Sequence, residues 1–404
     1  MYIFKAAVVG AGAMGGGIAQ VISYSGLPVI LKDIDQAMLD KGMEHIRKIY
    51  QGRVDKGKMS AGEMDSKVSL VTPTLDFSEF GDVDIVIEAI PEKMPLKQKV
   101  FAELDAMCPE GTIFASNTSA LSITEMGVAT KRPHKMIGMH FFNPAHVMKL
   151  VEIIRGEGTD EETVQDVVTF TESLRKIPVV VKECPGFLVN RLLMPYLNEA
   201  VLCLQEGAAT AQEIDNAMVD YGWPMGPFTL MDFLGLDVCA DVGQYLGSQY
   251  GERLQGAAMF EKLVRANRLG EKNGAGFYSY GDASDEPVKQ IIAELSGGKK
   301  LSEFTPERLM SPMLNEAAYC VAEGIADVRD IDMAMIAGTG MTVKGERIGP
   351  LALADKIGID ALVAGLEELE KKYGLRFHPA PNLYGMVKAG QLGEKSRTGF
   401  LEYV

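Results

Sequence analysis

The 404-residue sequence predicts an α/β domain built on a doubly wound, largely parallel sheet, followed by two all-α domains. Three observations predict it. Short apolar runs alternate with helical stretches over residues 1–184. A glycine-rich turn, Gly10-Ala11-Gly12-Ala13-Met14-Gly15, follows the first of those runs. Beyond Pro185 the pattern turns helical, and a second helical stretch repeats the first.

The elements follow in order. Ala6–Val9 is apolar with two β-branched residues and ends in glycines, as a buried strand does. Ile18, Val21 and Ile22 then fall at helical spacing, and Gly26 stops the helix. Residues 29–33 form the second strand and residues 83–90 (VDIVIEAI) the third. Further short apolar runs occupy 111–117, 135–140, 150–154 and Ile177–Lys182, with helices over 95–107 and 160–175. Residues 6–31 carry no charge over 26 positions, long enough to span a bilayer. Six of those residues are glycine, and only Lys5 precedes the stretch as a basic leader, so a strand, turn and helix is expected rather than a membrane or signal segment.

From Arg191, RLLMPYLNEAVLCLQEG matches RLMSPMLNEAAYCVAEG from Arg308 at an offset of 117. The same offset joins Asn198 to Asn315, Glu199 to Glu316, Glu206 to Glu323 and Asp215 to Asp332. Past a six-residue insertion the offset becomes 123, pairing Gly226 with Gly349, Asp232 with Asp355 and Phe277 with Phe400. The expected domains are 1–184, 185–282 and 306–404, with residues 283–305 a linker around one short amphipathic segment.

Composition excludes several classes. Apolar residues at 47% and charged residues at 24% are ordinary for a globular chain, not a disordered one. With 55 acids against 40 bases the net charge is −15, which argues against nucleic acid as a partner. The five cysteines form no CxxC pair, no cluster suggests a metal, and a reducing cytoplasm is the expected location.

Gly10, Gly12 and Gly15 form G-x-G-x-x-G between a strand and a helix, the fingerprint of a Rossmann-type dinucleotide site. The helix start offers N–H groups to a pyrophosphate. Asp33 ends the next strand, where a carboxylate meets ribose hydroxyls and repels a 2′-phosphate; NAD is the expected cofactor. Polar clusters also follow later strands, at Glu92 to Lys97, Ser116 to Ser119, and His140 to Asn143. If the chain folds back after His140, Glu152 reaches its imidazole. By pattern alone His140 is either a base or a satisfied structural histidine. Residues 41–58 hold six bases against two acids, net +4. That stretch is either a solvated helix face or a dock for phosphates, with Arg53 and Lys56 the chosen contacts.

GAGAMG, VILKD, IEAIPE, SNTS, GMHFFNP, LVEII and PGFLVNRLL, followed by GAGFYSY and RTGFLEY, resemble the L-3-hydroxyacyl-CoA dehydrogenases, including the 3-hydroxybutyryl-CoA dehydrogenases. The resemblance implies oxidation of an L-3-hydroxyacyl-CoA, short in chain, to the 3-oxoacyl-CoA with NAD. It implies His140 as base and Glu152 as its partner. Ser119 and Asn190 would position the substrate oxygen. Gly10, Gly12, Ala13, Met14, Gly15, Asp33, Glu92, Lys97, Asn117, Ser119 and Asn143 would contact the cofactor. Shorter members carry one helical copy and pair through it; here the two copies are expected to pack as an intramolecular pseudo-dimer. Asn190 aligns with Glu307, so the second copy is expected to be a non-catalytic scaffold. No hydratase segment is found, and a multifunctional fusion is not expected. Two other readings stay open, a dehydrogenase of a free hydroxy acid and a non-catalytic NAD-binding relative.

Overall fold

β1 (Ala6–Val9) is buried at all four positions, which is why it holds only small or β-branched apolar residues. In the computed structural model, which describes residues 2–403, the chain forms two units that divide between Cys184 and Pro185. The first unit contains β1 with β2 (Val29–Lys32), β3 (Val71–Thr74), β4 (Ile85–Glu88), β5 (Ile113–Ser116), β6 (Met136–Phe141), β7 (Leu150–Arg155) and β8 (Ile177–Lys182). Their order across one sheet is β3-β2-β1-β4-β5-β6-β7-β8. The order reverses direction between β1 and β4, and the crevice at such a switch point is where ligands bind in open α/β sheets.

Helices α1 (Ala13–Ser25), α2 (Gln36–Asp55), α3 (Ala61–Val68), α4 (Met94–Met107), α5 (Ile123–Gly127) and α6 (Glu161–Ser173) complete this unit. The starts of α2, α3 and α6 are capped by Asp35, Ser60 and Asp160, each accepting a backbone N–H one turn on. α1 has no side-chain cap. Ile18, Ile22, Leu31, Ile46 and Tyr50, all at most 1% exposed, pack between α1, α2 and the sheet.

Two features depart from the sequence reading. β3 was not expected: it is an edge strand with Thr72 and Pro73 exposed, so it lacks the apolar run that betrays buried strands. The run over 83–90 supplies a strand only at Ile85–Glu88. The fold-back after β6 does occur. β7 runs antiparallel to β6, while the other pairs of this sheet are parallel.

The second unit is helical. α7 (Val189–Gln205), α8 (Ala211–Tyr221), α9 (Pro227–Leu234), α10 (Leu236–Tyr250) and α11 (Ala258–Arg265) come first. α12 (Glu286–Ser296) follows, then α13 (Pro306–Ala322), α14 (Val328–Thr339), the hairpin β9 (Thr342–Val343) with β10 (Glu346–Arg347), α15 (Pro350–Ile357), α16 (Ile359–Tyr373) and α17 (Pro381–Lys388). The helices of the two copies correspond one to one, and the hairpin occupies the six-residue insertion. α12 lies where a linker is expected; it buries Val288 and Ile291 and packs on α7 and α11.

α7 and α13 pack against each other and exchange charges reciprocally. Arg191 Nε lies 2.7 Å from Glu316 Oε1, and Arg308 Nε lies 2.7 Å from Glu199 Oε1. Each arginine also meets the other copy's later glutamate, Arg191 to Glu323 at 2.8 Å and Arg308 to Glu206 at 3.0 Å. Arg253 and Arg376, one per copy, back the buried carboxylates of Glu316 and Glu199. Both central pairs are at most 2% exposed, so each charge depends on its partner from the other copy.

Candidate active and cofactor site

At the end of β1 the chain turns on Gly10, whose φ of +105° lies in the region that favours glycine. A methyl group there would also stand 2.6 Å from the Ala89 carbonyl oxygen. At Gly15 a methyl group would stand 1.8 Å from the Gly10 oxygen, so the helix sits directly on the turn. At Gly12, by contrast, nothing lies within 4 Å of where a Cβ would be. That open cradle, above an α1 N-terminus with no side-chain cap, fits a dinucleotide pyrophosphate. Ala13 is exposed and Met14 half-buried at the same rim.

Asp33 follows β2 directly. Its Oδ2 accepts from Ala11 N at 2.6 Å and its Oδ1 from Ile34 N at 2.6 Å. The carboxylate thus holds the glycine turn in shape.

The ends of β4 and β5 are joined by a buried network. Glu88 takes Lys97 Nζ at 2.7 Å and Ser116 Oγ at 2.6 Å, with Ile90 N on the same carboxylate. Lys97, 1% exposed, also reaches Glu92 at 3.2 Å. Glu92 in turn accepts from Thr118 Oγ1 and from Ser119 N at 3.0 Å. Lys97 is therefore spent on ordering the loop that carries Glu92. Ser119 is exposed, and Asn117 accepts from Phe141 N at 2.9 Å, tying the end of β5 to β6.

His140 and Glu152 are register partners across β6 and β7. His140 Nδ1 lies 2.7 Å from Glu152 Oε2, with the carboxylate fully buried. Donation of Nδ1–H to the carboxylate leaves Nε2 as the basic nitrogen of a neutral ring. Phe142 packs against the imidazole with ring centres 4.7 Å apart. Asn143 follows on the exposed loop, before Pro144. Asn190 belongs to the second unit, at the start of α7, and is half-buried.

The basic stretch lies on and just after α2 and forms one wall of a cleft of about 660 Å³. Lys48, Arg53, Lys56 and Lys58 line that wall. Lys149, Arg175 and Lys176, which precede β7 and β8, line the cleft too, as do His45 of α2 and His146 of the β6–β7 loop, and the lining holds no carboxylate. Arg53 is oriented by Tyr24, donating to its hydroxyl at 2.8 Å. Burial, then His45, Lys176 and Arg53, hold the His146 imidazole below its ordinary pKa.

Residues 5–184 match the NAD binding domain of 3-hydroxyacyl-CoA dehydrogenase, and residues 186–280 and 304–403 match its C-terminal domain. The chain belongs to the 3-hydroxyacyl-CoA dehydrogenase family. It is 41% identical over 399 residues to a fatty acid oxidation complex subunit alpha of Shewanella amazonensis, covering 96% of this chain and 56% of that protein. It thus spans little more than half the length of that relative. A 3-hydroxybutyryl-CoA dehydrogenase of Escherichia coli superposes with a TM-score of 0.86 at 28% identity, covering 96% of this chain and 100% of that one. The (S)-3-hydroxybutyryl-CoA dehydrogenase of Ralstonia eutropha gives a TM-score of 0.68 at 38% identity, covering 69% of this chain and 100% of the other. Membership in this family makes the first unit an NAD site and the chain a member of an oxidoreductase family. No helix among the described residues is long and apolar enough to cross a membrane.

Glu88 and the cleft residues Lys149, Arg175 and Lys176 were not among the candidate site residues of this dehydrogenase-family chain. Glu88 stands inside an apolar strand, IVIE, and its signal was the single charge at the strand's end. Lys149 and the adjacent Arg175 and Lys176 lie far from Lys56 in sequence and join it in lining the cleft only in the fold.

Proposed function

We propose that the chain catalyses the reversible NAD-dependent oxidation of a short L-3-hydroxyacyl-CoA to the 3-oxoacyl-CoA. The observation that carries the reading is the His140–Glu152 pair, at the carboxyl end of β6 in the same unit as the dinucleotide turn. Bound NAD supplies a hydride acceptor at C3 of the substrate. His140 takes the hydroxyl proton at Nε2 as that carbon is oxidised, and returns it in reduction. Glu152 balances the charge of the imidazolium and fixes the ring's tautomer. Ser119 holds the reacting oxygen. Gly10, Gly12, Ala13, Met14 and Gly15 cradle the pyrophosphate, Asp33 takes the adenosine ribose, and Glu92, Lys97, Asn117 and Asn143 shape the rest of the cofactor site.

The basic cleft takes the phosphates of coenzyme A, with Arg53 and Lys56 as ligands. Its charge supports this over a free hydroxy acid, which carries no phosphate. The two helical copies act as a pseudo-dimer in which the second covers the first; the reciprocal pairs between α7 and α13 favour that reading.

NADH consumption with acetoacetyl-CoA, longer 3-oxoacyl-CoAs and free acetoacetate tests the function. Fastest turnover is expected with acetoacetyl-CoA, and little with the free acid. Preference for free acetoacetate would overturn the reading. The same assay with NADPH checks Asp33, and equal use of both cofactors would remove it from the ribose.

A further inference from the structure

We propose that Lys176 is a positioning residue, which couples occupancy of the basic cleft by substrate phosphates to the order of the loop joining His140 to Glu152. The inference rests on the reading that this cleft takes the 3′-phospho-ADP half of coenzyme A.

Lys176 lines the cleft yet is 8% exposed. Its Nζ donates to two carbonyls of the loop between β6 and β7, Ala145 O at 2.5 Å and Met148 O at 2.6 Å. Among the described residues no carboxylate pairs with it, and the charge that acts on it is that of Lys149, a like charge. Burial and that neighbour push its pKa down to about 8. The next residue ties the same loop again, since Ile177 N donates to Lys149 O at 2.9 Å. Inside the loop, Val147 N and Met148 N both donate to Pro144 O.

One ammonium therefore fastens the segment that carries Asn143 and links the two strands of the His–Glu pair. A buried cation among like charges is costly, and two carbonyl dipoles offset that cost only in part. A phosphate in the cleft supplies the missing counter-charge, favours the ammonium form and tightens its hold on the loop. Binding energy from a remote, unreactive part of the substrate is then spent on orientation at the reacting carbon.

The test compares acetoacetyl-CoA with acetoacetyl-pantetheine, which has the same reactive end without the 3′-phospho-ADP. In the wild-type chain, 3′-phospho-ADP added in trans is expected to raise kcat for the pantetheine thioester about five- to tenfold. In Lys176→Met that ratio falls to about one, and in Lys176→Arg, which keeps the charge, at least half of the rise remains. An undiminished rise in Lys176→Met, with Arg53→Glu/Lys56→Glu still weakening the fragment's effect, overturns the coupling while the cleft assignment stands. Equal kcat/KM for both thioesters in the wild type overturns the cleft assignment and the coupling with it. A measurement free of any variant is amide hydrogen exchange of the wild-type chain. Val147 and Met148 should exchange about fivefold more slowly once 3′-phospho-ADP is added, and unchanged exchange overturns the proposal.

Discussion

Glu152 stands directly across the β6–β7 pair from His140, its Oε2 lying 2.7 Å from the imidazole Nδ1. Because side chains alternate faces along a strand, this contact is fixed by strand register: a slip of β7 by one residue against β6 would put Glu152 on the face opposite His140. Glu152→Gln keeps the shape but removes the charge opposite the imidazolium. We expect kcat to fall about 10²-fold, with Kd for NADH within about twofold of wild type. Steady-state kinetics with a fluorescence titration of NADH checks both numbers, and a large loss of NADH affinity would assign Glu152 to the fold instead.

Charge reversal in the cleft separates the two ligands. Arg53→Glu/Lys56→Glu should raise KM for acetoacetyl-CoA by about tenfold or more at low salt and leave KM for NADH nearly unmoved. The difference between variant and wild type should shrink as ionic strength rises. An equal effect on both KM values would make the stretch a solvated helix face.

The reciprocal ion pairs make the second helical copy part of the first copy's stability. Arg191→Met leaves Glu316 with Arg253 alone, and removing one member of a buried pair costs about 3–5 kcal/mol. A chain ending near residue 298 keeps α12 on its own copy but strips Glu199 of Arg308 and Arg376. That chain should aggregate or form a new homodimer through α7. Light scattering showing a stable, soluble and fully active monomer would remove the pseudo-dimer.

One symmetry is broken, and it predicts a pH effect. Asp215 accepts from Phe228 N, Thr229 N, Thr229 Oγ1 and Tyr278 OH. Among the described residues its counterpart Asp332 accepts only from Leu351 N and Ala352 N, because alanine and Leu401 stand where the first copy has threonine and tyrosine. Burial then pushes the Asp332 carboxyl up to about 6. The folded state holds this proton more tightly than the unfolded one, so the contribution is fully present below about pH 4 and is lost as pH rises through about 6, worth about 3 kcal/mol at most. Ala352→Thr restores a hydroxyl donor and should flatten that decline. Urea unfolding at pH 4, 5, 6 and 7 measures it, and identical slopes in wild type and variant would exclude Asp332 as the cause.

The sequence made the first unit's plan readable because its central strands are buried on both faces and its glycine turn has a spacing that sterics dictate. Gly10 and Gly15 are needed where they stand, so their positions announce the turn. Asp33 and His140 were legible because each ends a strand. β3 was hidden by Pro73 and its exposed edge. The Glu88–Lys97–Ser116 network and Lys176 were hidden because their partners come from separate strands and loops, a proximity that no local pattern carries. The repeat exposed α7 and α13 as equivalents, but the crossing of Arg191 to Glu316 and Arg308 to Glu199 is a property of packing. α12 was readable as an amphipathic segment, and only its burial against α7 and α11 shows that it is more than a connector.

The central claim is that His140 moves the substrate proton. The most direct measurement is kcat of His140→Gln with acetoacetyl-CoA and NADH, taken beside Kd for NADH from fluorescence. The kcat should fall about 10²–10⁴-fold with NADH binding retained. Turnover within about threefold of wild type would contradict it.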